Sequence, residues 1–279
     1  MNDNKRVLIK YGGNAMKDSN LQEKVAIEIK KLYRSGFELV LVHGGGPFIA
    51  EVLERAGITS EFIGGHRATS TEAMVQVEMA LKGMVNGSLV RVLQSFGIKA
   101  VGLSGKDGGS VIAKKRWHLE VQGDLEKKID LGQVGDVAEI NTDLAELLLK
   151  NQYLPVFTCI ASDHNGSDFN INADLFAGHL AGALQVDHFI VLTDVDGLFR
   201  DISKVDSLID HLSVKDIEPL MHKVIKGGMI PKIESCQVAL KTGAKTARIL
   251  NGTQPQQLTD VLISGKKLGT TITSHAQHN

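Results

Sequence analysis

Two cysteines in 279 residues, Cys159 and Cys236, are too few and too far apart for a disulfide framework or a zinc site. A reducing compartment, the cytoplasm, is the expectation. Aromatic residues make up only 5% of the chain, which leaves little for stacking on bases. Neither sign of charge is in excess: 31 Lys+Arg stand against 32 Asp+Glu, for a net charge of -1. That excludes a polyanion-binding composition. No uninterrupted apolar run reaches the ~18 residues of a membrane span. The opening "MNDNKRVLIK" has no apolar core of signal-peptide length. The ten histidines show no metal-ligand spacing such as H-E-x-x-H, so no metal site is expected. With no linker, repeat or low-complexity segment, residues 1–279 read as a single domain that handles small molecules, with no nucleic-acid or membrane partner.

What is present is a series of short apolar runs alternating with helical patterns. The runs are Arg6–Lys10, Phe37–Val42, Ile98–Ser104, Leu154–Ile160, His188–Asp194 and Thr246–Leu250. Each suits a strand buried on both faces. Between the first two, Leu21, Val25, Ile29 and Leu32 share one helical face, and Gly36 ends it. A long helical pattern runs from Thr71 towards Phe96, with a break expected near Asn86-Gly87. Ile58–His66 and Ser110–Ile140 read as β-hairpins. This order predicts an α/β fold: a three-layer αβα sandwich around an open, mainly parallel sheet, with a β-hairpin lid over the substrate site.

Glycine is abundant, at 29 residues, and it clusters where strands end. "VLVHGGGPFI" places Gly44, Gly45 and Gly46 between a strand and a helix that Pro47 can open. In a parallel sheet, ligands bind at the carboxyl ends of strands, and bare helix N-termini favour anions. The loop is neither a P-loop nor a dinucleotide fingerprint. Taken alone, it fits a tight turn as well as an anion cradle. "VLIKYGGNAM" sets Lys10 at a strand end beside Gly12 and Gly13. In "SDFNINADLFAGHLAGAL", Asn172 suits an N-cap, Asp174 the first turn, and the small residues a slim helix able to lie close to a sheet or a cofactor. "VLTDVDGLFRD" lacks calcium-loop spacing and fits a nucleotide-contacting turn better. "KGGMIPKIES" brings Lys232 to a helix start after a glycine pair. His43 reads as structural, and Lys106-Asp107 as a loop ion pair.

Together "IKYGGNAM", "VHGGGP", "GGHRAT", "GLSGKDGG", "GDVAEIN", "NINAD", "LTDVDGL" and "GGMIPK" resemble the amino acid kinase family, in that family's order and over nearly the whole chain. The resemblance is strongest to the branch that phosphorylates the γ-carboxylate of N-acetyl-L-glutamate with ATP, a step of arginine biosynthesis. It implies catalytic roles for Lys10 and Lys232 on the transferring phosphoryl group, with Asp174 holding both lysines. It implies that Gly44, Gly45 and Gly46, with Gly12 and Gly13, offer N–H groups to phosphate and substrate. Arg67 would pair with the α-carboxylate, and Asn170 would touch the N-acetylated end. Asp194, Val195, Asp196, Gly197 and the segment around Gly228 would contact ATP, with Mg²⁺ carried mainly by the ATP phosphates. Residues to about 160 would bind the acceptor and support dimerisation, and residues from about 161 would bind ATP.

About five residues precede the first strand, which leads to the expectation of a homodimer insensitive to arginine rather than an arginine-regulated hexamer. Two alternatives stay open: a kinase for an aminoadipate derivative or another carboxylate of the same family, and a non-catalytic nucleotide sensor on the same fold. Since a γ-carboxylate is already ionised near neutrality (reference pKa of roughly 4.3), the expected site holds cations and N–H donors, not a general base.

Overall fold

Alternation along the central strands decides how the layers form. In β1 (Arg6–Tyr11), Val7, Ile9 and Tyr11 face one layer and Leu8 the other. In β2 (Glu38–His43), Leu39 and Leu41 join the first group, and Val40 and Val42 the second. Both faces of the sheet are thus apolar and both must be covered. The computed structural model describes residues 5–12, 16–122 and 125–274. In chain order, α1 (Ser19–Arg34) follows β1, and α2 (Gly46–Arg55) follows β2. The short hairpin β3 (Phe62–Ile63) and β4 (His66–Arg67) leads into α3 (Thr71–Glu78), a π-helical segment (Met79–Asn86) and α4 (Gly87–Ser95). Next come β5 (Ala100–Ser104), the long strands β6 (Val111–Gln122) and β7 (Leu125–Ile140), α5 (Asp143–Lys150), β8 (Leu154–Thr158), β9 (Ile160–Ser162) and β10 (Asp168–Ile171). The chain then runs through α6 (Ala173–Ala183), β11 (His188–Thr193), β12 (Leu198–Phe199), β13 (Leu208–Ile209) and β14 (His211–Ser213). It ends with α7 (Met229–Thr242), β15 (Thr246–Asn251), α8 (Gln257–Leu262) and β16 (Thr270–Thr273).

The main sheet has eight strands in the order β14-β16-β15-β11-β1-β2-β8-β5. The pairing of β15 with β16 is antiparallel, so β16 and its parallel neighbour β14 run against the other six strands. Helices α1, α4 and α8 cover one face, and α2, α3, α5, α6 and α7 the other. This is the expected three-layer αβα sandwich, and all six expected strands lie in its sheet. Because β1 pairs with β2 on one side and β11 on the other, the connections leave it in opposite directions. The crevice at its carboxyl end is the position where such folds bind ligands.

Three features correct or sharpen the sequence reading. Strands β10, β7, β6 and β9 close into a small barrel, so the second hairpin is one side of a barrel and not a free ribbon. The helix from Thr71 to Ser95 does not break at Asn86-Gly87, where Gly87 keeps helical angles (φ -59°, ψ -42°). A widened π turn over Met79–Asn86 replaces the break. The slim helix α6 lies close to the sheet, as expected, packing on β1, β2 and β11, and also close to another helix, α7. A Cβ on Gly178 would come within 2.4 Å of the Ser235 carbonyl oxygen and 2.9 Å of its Cα. The small residues thus bring α7, which carries Lys232, up against the start of α6, which carries Asp174.

That contact gives a first prediction. Alanine has a helix propensity about 1 kcal/mol better than glycine, yet Gly178→Ala forces backbone apart. We expect a net loss of ~1–3 kcal/mol, measured by urea denaturation. A gain in stability would contradict the close packing of α6 on α7.

Candidate active site

Lys10 near the end of β1, Asp174 in the first turn of α6 and Lys232 in the first turn of α7 meet at the crevice beside β1. The Lys10 ammonium lies 2.9 Å from Asp174 Oδ1, as an ion pair outside hydrogen-bond alignment. Lys232 donates to Asp174 Oδ2 at 3.2 Å. Lys10 is 5% exposed and Asp174 6%, so water screens little of the interaction. Burial pushes the Asp174 carboxyl upward, but Lys10 and Lys232 together hold it below its ordinary range. Burial, reinforced by Lys10, lowers the Lys232 ammonium, while Asp174 and then Asp194 oppose that shift. The Asn172 side chain caps α6 by accepting from the N–H groups of Asp174, at 2.9 Å, and Leu175, at 3.2 Å. That cap fixes the helix end on which Asp174 stands.

Gly12 is glycine because Lys10 folds over it: a Cβ there would lie 2.6 Å from the Lys10 ammonium. Gly13 lies outside the described residues. Gly44 continues the strand ladder, its N–H donating to the Tyr11 carbonyl at 3.3 Å, so that N–H is not free for a ligand. The N–H groups of Gly45 and Gly46 have no backbone acceptor among the described residues, as expected at a helix start. A Cβ on Gly45 would come within 2.5 Å of Leu81 Cδ2 in the π segment. The absent side chain thus serves packing against that segment as well as access to the backbone. His43 is fully buried between the Gly44 carbonyl and Asn86, and burial lowers its imidazole to about 4.

Lys10, Gly12, Gly44 to Gly46 and Asp174 line a cavity of about 310 Å³. The hairpin of β3 and β4 borders it through Phe62, His66 and Arg67, where a lid was expected. Arg67 stacks over the Phe62 ring at 4.6 Å and donates to Ser60 Oγ and, at 3.2 Å, to the Gly46 carbonyl. Among the described residues, no carboxylate forms a salt bridge with it. Asn170 lines the cavity from β10, and Asn172 does so as well, beyond its capping role. Sequence reasoning saw only the cap in Asn172 and did not anticipate His66 on the wall. Asn170 to Asp174 come from beyond residue 160, so both parts of the chain build this cavity. Cys159 also borders it, but burial pushes its thiol up to about 12, out of reach as a nucleophile near neutrality.

Asp194 to Gly197 follow β11 and lie outside the lining of this cavity, as does Gly228 at the N-cap of α7. The Asp196 carboxylate turns inward and accepts from Asn251 Nδ2 at 2.9 Å and from Gln257 Nε2 at 3.3 Å. Gly228 lines a neighbouring cavity with Gly65 and Asn172. The reading of Lys106-Asp107 as an ion pair is corrected. Lys106 pairs with Glu78 and Asp168, at 2.6 and 3.0 Å, and Asp107 pairs with Lys82 at 2.8 Å. Adjacent residues diverge on the turn, so each finds a partner on another element. Among the described residues, no three His, Cys, Asp or Glu side chains gather as a metal site.

Two ammonium groups on one buried carboxylate, beside N–H groups without a backbone acceptor at a strand-to-helix turn, suit an anion. Residues 5–251 match the sequence profile of the amino acid kinase family. The chain belongs to the amino acid kinase family. Among the relatives of this kinase, an acetylglutamate kinase of Methanocaldococcus jannaschii is 42% identical, covering 95% of this chain and 89% of that protein. An acetylglutamate kinase of Heliobacterium modesticaldum is 43% identical, covering 96% and 92%. A crystal structure from Streptococcus mutans, 29% identical, superposes with a TM-score of 0.76 over 97% of this chain and 99% of the other. A carbamate kinase from Giardia, 20% identical, reaches 0.72 over 98% and 100%, a likeness of fold alone.

The buried His43 predicts how stability depends on pH. Its folded pKa, about 4, lies below the unfolded 6.5. Between those values the unfolded chain binds a proton that the folded chain refuses, so stability falls as pH falls. The loss should reach up to about 3 kcal/mol by pH 4. Denaturation curves from pH 7 to 4 should show it, and His43→Asn should flatten the slope. An unchanged slope in that variant would contradict a neutral, buried imidazole.

Proposed function

We propose that this kinase transfers the γ-phosphoryl group of ATP to the γ-carboxylate of N-acetyl-L-glutamate, forming N-acetyl-L-glutamyl 5-phosphate in arginine biosynthesis. The observation that carries the reading is a single cavity lined both by the Lys10–Asp174 pair and by Arg67, whose guanidinium has no carboxylate partner among the described residues. The acceptor needs one cationic group to hold its α-carboxylate and another cluster to meet the transferring charge. A planar guanidinium suits the first task and clustered ammonium groups the second. The same requirements arise from the relatives named acetylglutamate kinase.

In this reaction a carboxylate oxygen bonds to the γ-phosphorus as the β,γ-bridging bond breaks, and the electron pair leaves with ADP. No proton need move, so no general base is required. Lys10 and Lys232 neutralise charge on the transferring oxygens, and Asp174 keeps the two ammonium groups converging. The N–H groups of Gly45 and Gly46 align the group for in-line transfer, with Gly12 on the Lys10 side. Asn170 contacts the acetyl end. Backbone of Asp194 to Gly197 and of the turn at Gly228 contacts ATP. Asp174 is held by two lysines and so has little capacity left for a metal, and the lysine and N–H donors suit phosphate oxygens. Mg²⁺ bound to those phosphates supplies further charge neutralisation.

A homodimer completes the proposal. The helical stretch from Thr71 to Ser95 leaves Val75, Met79 and Met84 about half exposed, an apolar face suited to a second copy.

With ATP-Mg and N-acetylglutamate, hydroxylamine should trap a hydroxamate, while glutamate, aspartate and aminoadipate should give far less. Absence of product from every acceptor would favour a nucleotide sensor instead. Lys10→Ala and Lys232→Ala should each lower kcat by ~10²–10³-fold. Arg67→Ala should raise the KM for the acceptor by about tenfold or more and leave the KM for ATP nearly unchanged. Equal effects on both KM values would contradict a carboxylate-binding role for Arg67.

A further inference from the structure

Nothing in phosphoryl transfer itself accounts for Asn86, a 2% exposed amide that closes the π-helical segment. Its Nδ2 lies 2.8 Å from His43 Nε2 and donates to the Val156 carbonyl at 2.9 Å. Because the Val156 carbonyl can only accept, the nitrogen of the amide must be the atom facing β8 and His43. His43 Nε2 then has to accept, which places the ring proton on Nδ1. That proton goes to the Gly44 carbonyl, 2.8 Å away. The tautomer of a buried imidazole is therefore dictated by an amide on a neighbouring helix. Asn86 Oδ1 fills the space over Gly102, where a Cβ would lie only 2.0 Å from it.

The Gly44–Gly45 peptide is trans and planar, so its carbonyl and its N–H point in opposite directions. We propose that His43 and Asn86 are positioning residues: by holding the Gly44 carbonyl inward, they direct the Gly45 N–H into the cavity as a donor to the transferring phosphoryl group. This rests on the kinase reading above. The π turn belongs to the same device. It brings Asn86 to His43, and it presents Leu81 where a side chain on Gly45 would collide. π turns recur at functional sites because one widened turn re-aims the side chains beyond it. A plain α-helical turn would rotate Asn86 away from β2.

Three variants of His43 test the proposal in the full chain, with hydroxamate formation and thermal stability measured side by side. Asparagine carries an amide nitrogen where Nδ1 stands and can still donate to the Gly44 carbonyl. Glutamine reaches the Nε2 position and can bond Asn86, but it leaves that carbonyl free. Leucine does neither. We expect His43→Asn to retain kcat within about fivefold, and His43→Gln and His43→Leu to lose about 10²-fold in kcat, with KM for the acceptor changed by less than about threefold. A transition-state mimic of the phosphoryl group, ADP with aluminium fluoride, should lose affinity in the same order as kcat. Equal losses in the asparagine and glutamine variants, losses that follow melting temperature alone, or failure of all three to fold would assign His43 to the core and overturn the proposal. A wild-type chain inactive on every carboxylate would instead overturn the kinase reading, which the same assay reports separately.

Discussion

A single buried carboxylate shared by two lysines is the constraint on which the rest of the structure depends. Asp174 sits between the two ammonium groups: Lys10 is buried, while Lys232 is partly exposed and also feels Asp194. Two ammonium groups converging on one carboxylate in a weakly screened place favour an anion there. The arrangement needs three backbone elements far apart in sequence to end at one point. β1 brings Lys10, α6 brings Asp174 and α7 brings Lys232. Much of the surrounding packing follows from that demand.

The glycines answer it in different ways. Gly178 and the other small residues of α6 let α7 approach closely enough for Lys232 to reach Asp174. Gly12 leaves room for the Lys10 side chain to fold back over its own strand. Gly45 lets the π segment pack against the start of α2. None of these three roles is the simple stripping of side chains from a phosphate loop, though that remains the effect on the cavity side. Gly44 turned out to be part of the strand ladder, so the cradle narrows to two donors, on Gly45 and Gly46. The Gly45 donor lies in the peptide plane whose Gly44 carbonyl meets His43.

Much of the fold was legible because the six central strands are continuous apolar runs, each between helical patterns with recognisable stops. Strands β9, β10, β12, β13, β14 and β16 were not, because they are two to four residues long and too short to carry a period. The closed barrel was hidden for a related reason: its closure rests on long-range pairings of β10 with β7 and of β9 with β6. At the site, Lys10, Asp174 and Lys232 stood out as charged residues at strand and helix ends, and the family resemblance tied them together. Asn172 announced itself only as a cap. Asn86 left a trace, a polar residue before a glycine inside an apolar helical pattern. Local chemistry made that trace look like a break, whereas the widened turn keeps the helix running.

The sequence by itself determined the layers and the chemical type of the site, because apolar alternation and the residues at strand ends act locally. Strand-end lysines, a capped acid and glycine-rich turns are enough to specify an anion receptor without a base. Tertiary structure decided who partners whom. That Lys106 and Asp107 diverge, that α6 lies against α7, that Arg67 reaches the Gly46 carbonyl at the cavity, and that an amide in a π turn selects a histidine tautomer all depend on contacts between residues distant along the chain. Such contacts exist only after the sheet has set its strand order, and no local pattern encodes them.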